Sequence, residues 1–287
     1  MQGIPSDPRK DEAVRICVIG DVQGWTQRLV DALDALGADC EAGLLPVDTA
    51  VIQVGDLVHK GPDSAGAVAL VGRFLAGSPG RWVQLLGNHE AQYLGGSSFW
   101  TPPVKHDTEV LLEQWFRKGT ARLAVACRSD ELGDVLVTHA GLTRNKWEAF
   151  GCPASAEEAA QLINAEAHRA PKKAFAPGKM LRGLPTRTVG VVWAEAVDEL
   201  LWSWDMETLP FSLVHGHSSA YSFGRGYFHL GVPEHMAVLT RPDRARRHVR
   251  FDWPGGGAII GIDPGYGTKN AAVPLVPLVL HGEICAP

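Results

Sequence analysis

The chain has 287 residues, 45% of them hydrophobic and 21% charged, the proportions of a globular enzyme with core enough for one large α/β domain or two modest ones. Lys and Arg number 27 against 32 Asp and Glu, a net charge of −5, so no partner recognised by bulk positive charge is expected: no nucleic acid and no anionic membrane. The five cysteines are scattered without a CxxC pair, there is no signal-peptide layout, and no apolar run is long enough to span a bilayer. The sequence therefore reads as a cytoplasmic protein with reduced thiols.

In chain order, residues 1–13 are polar, carry two prolines and read as a loose arm. A strand over 15–19 leads to a helix over 27–36, where Leu29, Val30, Leu33 and Leu36 fall at helical spacing. A loop over 41–48 enters a second strand, Val51 to Val54. Pro62-Asp63-Ser64 opens a helix over 65–75, and Pro79-Gly80 breaks the chain before a third strand over 81–86. The first ninety or so residues thus read βαβαβ. The right-handed crossover rule puts the three strand ends on one edge of a parallel sheet.

Beyond Glu90 the pattern turns helical. Val110, Leu111, Leu112, Trp115 and Phe116 mark a helix over 109–118, and Ser155-Ala-Glu-Glu158 is a capping box opening another to about residue 168. Residues 170–187 form an irregular loop rich in Pro, Gly and basic side chains. The stretch 142–209 is expected to be a cap inserted between two strands of one domain spanning 1–287. Strands are expected at 236–240, 249–252, 258–263 and 274–280.

Five strand-like runs end in an oxygen or imidazole group. They lead into Gly20-Asp21-Val22-Gln23-Gly24, Gly55-Asp56, Gly87-Asn88-His89-Glu90, His139-Ala140-Gly141 and His215-Gly216-His217. A carboxylate just past the carboxyl end of a parallel strand is where open α/β sheets place their sites. One such ending is an ordinary turn; five in one chain describe a site.

These segments, with Leu57-Val58-His59-Lys60-Gly61 after Asp56 and Ser218 after His217, resemble the five motifs of the calcineurin-like metallophosphoesterases. Within that superfamily they are similar to phosphoprotein phosphatases and to bacterial symmetrical diadenosine tetraphosphatases. The resemblance covers nearly the whole chain and implies an α/β sandwich of mixed sheets flanked by helices, with an inserted helical cap. It also implies two divalent metal ions, with Mn²⁺ favoured and Fe, Zn²⁺ or Mg²⁺ also suited to oxygen and imidazole ligands. By that resemblance Asp56 bridges the metals, Asp21 and Gln23 belong to the first, and Asn88, His139 and His217 belong to the second. Water activated between the metals attacks phosphorus, and His89 protonates the leaving oxygen. The expected activity is hydrolysis of a phosphate monoester, on a phosphoprotein or a small phosphometabolite. Hydrolysis of a dinucleoside tetraphosphate is the alternative, and a weakly catalytic pseudo-phosphatase that acts by interaction is a reading of another class.

Three departures from the phosphoprotein phosphatase pattern stand out. Gln23 replaces a histidine, in the Gly-Asp-x-Gln-Gly form of the diadenosine tetraphosphatases. His59 and Lys60 replace an Asp-Arg pair, which removes the usual partner of His89 and leaves Glu90 or His59 as substitutes. Leu201-Trp202-Ser203-Trp204 lacks a phosphate-binding arginine. Lys60, His59 and Arg225 are expected to contact substrate, with Arg182 and Arg187 as other sources of a guanidinium. His215 is expected to support the metal ligands or to ligate the first metal itself. Trp193, Trp202 and Trp204 read as packing residues. The basic loop with Lys172, Lys173 and Lys179 reads as a solvated face, to which a polyphosphate would give a purpose.

Overall fold

The computed structural model describes residues 14–269 and 273–285; the expected arm at 1–13 lies outside them. Parallel strands β1 (Val14–Ile19), β2 (Thr49–Gln53) and β3 (Trp82–Leu85) are joined by helices α1 (Thr26–Ala35) and α2 (Ser64–Gly77). The Asp63 side chain starts α2 by accepting the Gly66 N–H at 2.8 Å. A short helix α3 (Asn88–Ala91) follows β3, and α4 (His106–Arg117) leads to β4 (Ala121–Arg122) at the sheet edge.

The second half begins with the hairpin of β5 (Ala124–Ser129) and β6 (Gly133–Thr138). Helices α5 (Arg144–Ala149) and α6 (Ala156–Arg169) come next, then a π-helix over Ala196–Leu201 and strand β7 (Ser212–His215) parallel to β6. A small hairpin, β8 (Tyr221–Ser222) with β9 (Tyr227–Phe228), precedes β10 (Val249–Asp252), β11 (Ala258–Gly261) and β12 (Leu278–Ile284). The ten-stranded order is β10-β11-β7-β6-β5-β12-β1-β2-β3-β4.

Strand β12 is the corner of this sheet. Its residues 278–282 pair with β1 and its residues 282–284 with β5, so Gly282 belongs to both ladders. A β-carbon there would lie 1.9 Å from the Arg128 carbonyl oxygen, and its φ is +147°, so only glycine makes this turn. The two halves of the folded sheet enclose one core, with Ile16, Val18, Ile52 and Leu85 from one side and Val125, Val137, Val214 and Ile260 from the other. The alternate residues Cys17, Ile19 and Val51 face outward into a second core beneath the helices. This is the mixed α/β sandwich expected. Period-two alternation, buried on both faces, is what sets which side chain enters which layer.

Two expectations are corrected. Residues read as a strand over 236–240 form a helix, Glu234–Leu239, opened by Pro233. Met236 is buried while Val238 is 76% exposed, so the alternation that a half-buried strand needs is absent. The last strand starts at Leu278, not at 274, because Pro274 and Pro277 have no N–H to give a ladder. Among the described residues no helix is long and apolar enough to cross a membrane. Helix α6 lies on β5 and β6, where Asn164 Oδ1 accepts the N–H groups of Leu123 and Ala124.

Candidate metal centre and active site

Three backbone bonds draw the strand ends together. Val54 N–H donates to Ile19 O at 3.0 Å, Gly216 N–H to His139 O at 2.8 Å, and Ile262 N–H to His215 O at 2.8 Å. The loops after β1, β2 and β7 then carry five non-glycine residues at positive φ: Gln23, Asp56, His59, Lys60 and His217. Such conformations persist only where their surroundings over-determine them, and they collect at functional sites. Two glycines let backbone approach carboxylate. A β-carbon at Gly87 would lie 2.1 Å from Asp56 Oδ1, and one at Gly216 would lie 2.2 Å from Asp21 Oδ1.

Asp21, Gln23, Asp56, Asn88, His89, His139 and His217 are all buried and gathered here. His139 donates its Nδ1–H to Val54 O at 3.0 Å, which leaves the Nε2 lone pair facing Asn88 Oδ1 at 3.1 Å and Asp56 Oδ1 at 3.4 Å. Acceptor faces acceptor, an arrangement that a cation relieves. His217 Nε2 and Gln23 Oε1 are buried with no partner, and ligand atoms of Asp56, His139 and His217 lie within 4.8 Å of one another. Orphaned buried acceptors of this kind are costly unless something electropositive sits between them. The donor set therefore fits divalent cations.

The electrostatics agree. Burial would raise the Asp56 carboxyl, but the facing His89, His139 and His217, with Lys60, hold it below the usual carboxylate range. Asp21 is pushed well up, by burial first and then by the charges of Asp263 and Asp56. Burial also lowers His139 and His217, keeping their rings neutral as ligation requires.

The residues expected around His89 are also together. Glu90 is not a partner of the His89 ring: its two oxygens accept the N–H groups of Asp56, Leu57 and Gly87 at 2.8 Å and of Val58 at 3.3 Å. His59 takes that place, with Nδ1 2.7 Å from His89 Nδ1 and Nε2 2.8 Å from Tyr93 Oη. Burial is the main cause that brings both rings down to about 4, and each also lies near the charge of Lys60. A groove of about 670 Å³ opens beside them, lined by His59, Lys60, His89, Phe99, Trp100 and Lys105.

Not every expected residue is brought in. Arg225 sits between β8 and β9 and is exposed, donating to Tyr227 Oη at 3.0 Å. Arg182 and Arg187 are exposed elsewhere, and Lys179 is paired with Asp198. His215 Nδ1 donates to Gly216 O at 2.9 Å, and its other edge faces Gly261. Trp193 packs edge-on against Phe99 and His217. Two participants escaped sequence reading. Asp263 follows β11 and supplies a third buried carboxylate near Asp21 and Asp56; its signal was there, an apolar run ending in Asp. Tyr93 had none, because nothing in the sequence ties it to His59.

Residues 14–244, more than half of the chain, match the calcineurin-like phosphoesterase family over the span that carries Asp21 to His217. The chain belongs to that family. As a calcineurin-like phosphoesterase it is 33% identical to a symmetrical bis(5'-nucleosyl)-tetraphosphatase of Legionella pneumophila (strain Lens) over 137 residues, 43% of either chain. One from Aeromonas hydrophila subsp. hydrophila is 28% identical over 162 residues, 53% of this chain and 54% of that protein. The chain spans about half the length of the curated relatives it matches. A solved cold-active protein tyrosine phosphatase superposes with a TM-score of 0.51 at 15% identity, over 88% of this chain and 70% of that one, a likeness of fold alone.

Proposed function

We propose that this calcineurin-like phosphoesterase hydrolyses the phosphoanhydride of a nucleoside polyphosphate, a dinucleoside tetraphosphate being the best-suited form. The observation that carries this reading is the groove at His89. Its volume, about 670 Å³, is that of a site for a drug-sized ligand, far more than a serine side chain needs. Lys60 and Lys105 offer charge to phosphates, and Trp100, 96% exposed, offers a stacking face to a base. The relatives' name and the Gly-Asp-x-Gln-Gly form of the first motif support the same substrate class.

Two cations would be held by Asp56 together with Asp21 and Gln23 for the first and Asn88, His139 and His217 for the second. When bound, such a pair supplies a water of lowered pKa and neutralises charge on the transferring phosphoryl group. Glu90 holds the Asp56 loop in place by its backbone. His89 faces the departing oxygen, and the groove beyond it receives the departing half of the substrate. The basic loop is not needed for this, since Lys60 and Lys105 provide the groove with its cations.

The test is a comparison of kcat/KM with Mn²⁺ for a dinucleoside tetraphosphate, a phosphoserine peptide and a sugar phosphate. The tetraphosphate is expected to be preferred, and Trp100→Ala should raise its KM about tenfold, the worth of one base stack. A phosphoserine peptide preferred by the wild type would return the site to the monoester reading. Absence of metal binding by calorimetry would favour the interaction module.

A further inference from the structure

We infer that the indole N–H of Trp193 is a substrate-binding donor, set to hold a non-bridging oxygen of the phosphoryl group that this phosphoesterase transfers. The inference rests on the phosphoesterase reading and holds for an anhydride or a monoester alike.

Trp193 reads from sequence as a packing residue, and its ring does pack. It is 3% exposed, with Phe99 edge-on at 5.2 Å between ring centroids and His217 edge-on at 5.8 Å. Phe99 in turn meets the His89 ring at 4.9 Å. The indole thus lies against His217, a candidate cation ligand, and one ring away from His89. Its loop is pinned there at both ends. Val191 O accepts the Ala140 N–H at 2.8 Å, and Ser218 Oγ accepts the Ala196 N–H at 3.0 Å. Ala140 and Ser218 directly follow His139 and His217, so the loop is tied to two of the turns that build the centre.

Packing does not account for one atom. Trp193 Nε1 is buried with no hydrogen-bond partner among the described residues. Trp147, Trp202, Trp204 and Trp253, in the same half of the chain, each donate to a backbone carbonyl at 2.6 to 3.0 Å. An indole nitrogen can only donate, and a buried N–H without an acceptor is costly. His217 Nε2 is orphaned on the neighbouring ring, and the two nitrogens do not satisfy each other. They ask for opposite partners, His217 for a cation and Trp193 for an electronegative atom. A phosphoryl oxygen held at the cation site is an acceptor of the kind this donor lacks. Arg182, Arg187 and Arg225, expected from sequence as sources of a guanidinium for phosphate, are exposed elsewhere. A neutral donor fixed in a dry site takes up part of that task, because it stabilises charge on phosphoryl oxygens without reorganising.

The test reads the N–H directly. In the 287-residue chain labelled with ¹⁵N-tryptophan and supplied with Mg²⁺, the Trp193 indole resonance is identified by its loss in Trp193→Phe. Titration with inorganic phosphate should move it downfield to saturation, and potassium chloride at the same ionic strength should not. Trp193→Phe keeps an aromatic ring against Phe99 and His217 but has no donor. Its dissociation constant for phosphate should rise about 10- to 100-fold, the worth of a hydrogen bond to a charged group, and kcat/KM should fall by a similar factor. Mn²⁺ affinity by calorimetry should stay as in the wild type. Benzothiophene in place of the indole at position 193 keeps the ring shape and removes only the N–H, so it should reproduce these losses even if Trp193→Phe folds poorly. A resonance that phosphate leaves in place, or an isostere that binds phosphate as the wild type does, would overturn the inference and return Trp193 to packing alone. The phosphate readout is common to both substrate classes, so its failure would leave the proposed substrate to the kcat/KM comparison.

Discussion

Glu90 holds Asp56 by its backbone: Glu90 Oε2 accepts the Asp56 N–H at 2.8 Å, and the same oxygen accepts Gly87 N–H at 2.8 Å. One carboxylate thus ties the loop after β2 to the loop after β3. It fixes the spacing between Asp56 and Asn88, residues expected to face the same cation.

Glu90→Gln keeps the shape of the side chain but replaces one acceptor oxygen with a donor aimed at an N–H group. Metal affinity should fall about 10- to 100-fold, the usual cost of disturbing an outer partner of a metal ligand. Calorimetric titration with Mn²⁺ measures it. An unchanged affinity would mean that the loop keeps its place without Glu90.

Asp56→Asn should remove binding at both cation positions and abolish turnover, since an amide lacks the charge that holds two cations together. Two metals per chain with a near-normal rate would contradict the bridging role.

Gln23 offers a neutral amide oxygen, buried and without a partner. The first cation should therefore bind less tightly than the second, and protein purified without added metal should carry one. Gln23→His, tolerated at a φ of 52°, should raise first-site affinity for late divalent ions such as Zn²⁺. Titration of both forms decides it. Equal affinities in the wild type would give another group, Asp263 or His215, a share in the first site.

His248, just before β10, reports on pH and is not one of the candidate metal ligands. It is buried and donates Nε2–H to Val276 O at 3.0 Å, and burial is the main cause holding it down to about 4, against an ordinary 6.5. The unfolded chain takes up a proton near 6.5 and the folded chain only near 4, so the unfolded state binds more protons between the two. Stability from this group is whole above pH 6.5 and is lost as pH falls towards 4. The full loss is roughly 3 kcal/mol. In His248→Gln, which keeps a donor but does not titrate, the fall in unfolding free energy from pH 7 to about 4.5 should be smaller than in the wild type by roughly 2 kcal/mol. Equal falls would refute it.

The sequence by itself determined which residues gather at the candidate metal site and the strands that bear them. Ligand-bearing residues follow short apolar runs directly, and the period-two pattern of a doubly buried strand is local, so Asp21, Asp56, Asn88, His139 and His217 were legible one by one. Helices α1, α2, α4 and α6 were legible for the same reason, from spacing and caps within one segment. The strand over 236–240 failed because a five-residue apolar run has no period of its own, and burial on one side decided for a helix. Only the tertiary structure decided what stands behind His89. Sequence left Glu90 and His59 open, and the choice turned on where two carboxylate oxygens find their N–H groups, residues 32 to 34 positions away. Asp263 joined the site through the folding of the sheet at Gly282, and Tyr93 through the meeting of the segments after the paired strands β2 and β3. Contacts between segments distant in the chain leave no spacing to read, because hydrogen-bond partners are chosen in space and not along the chain.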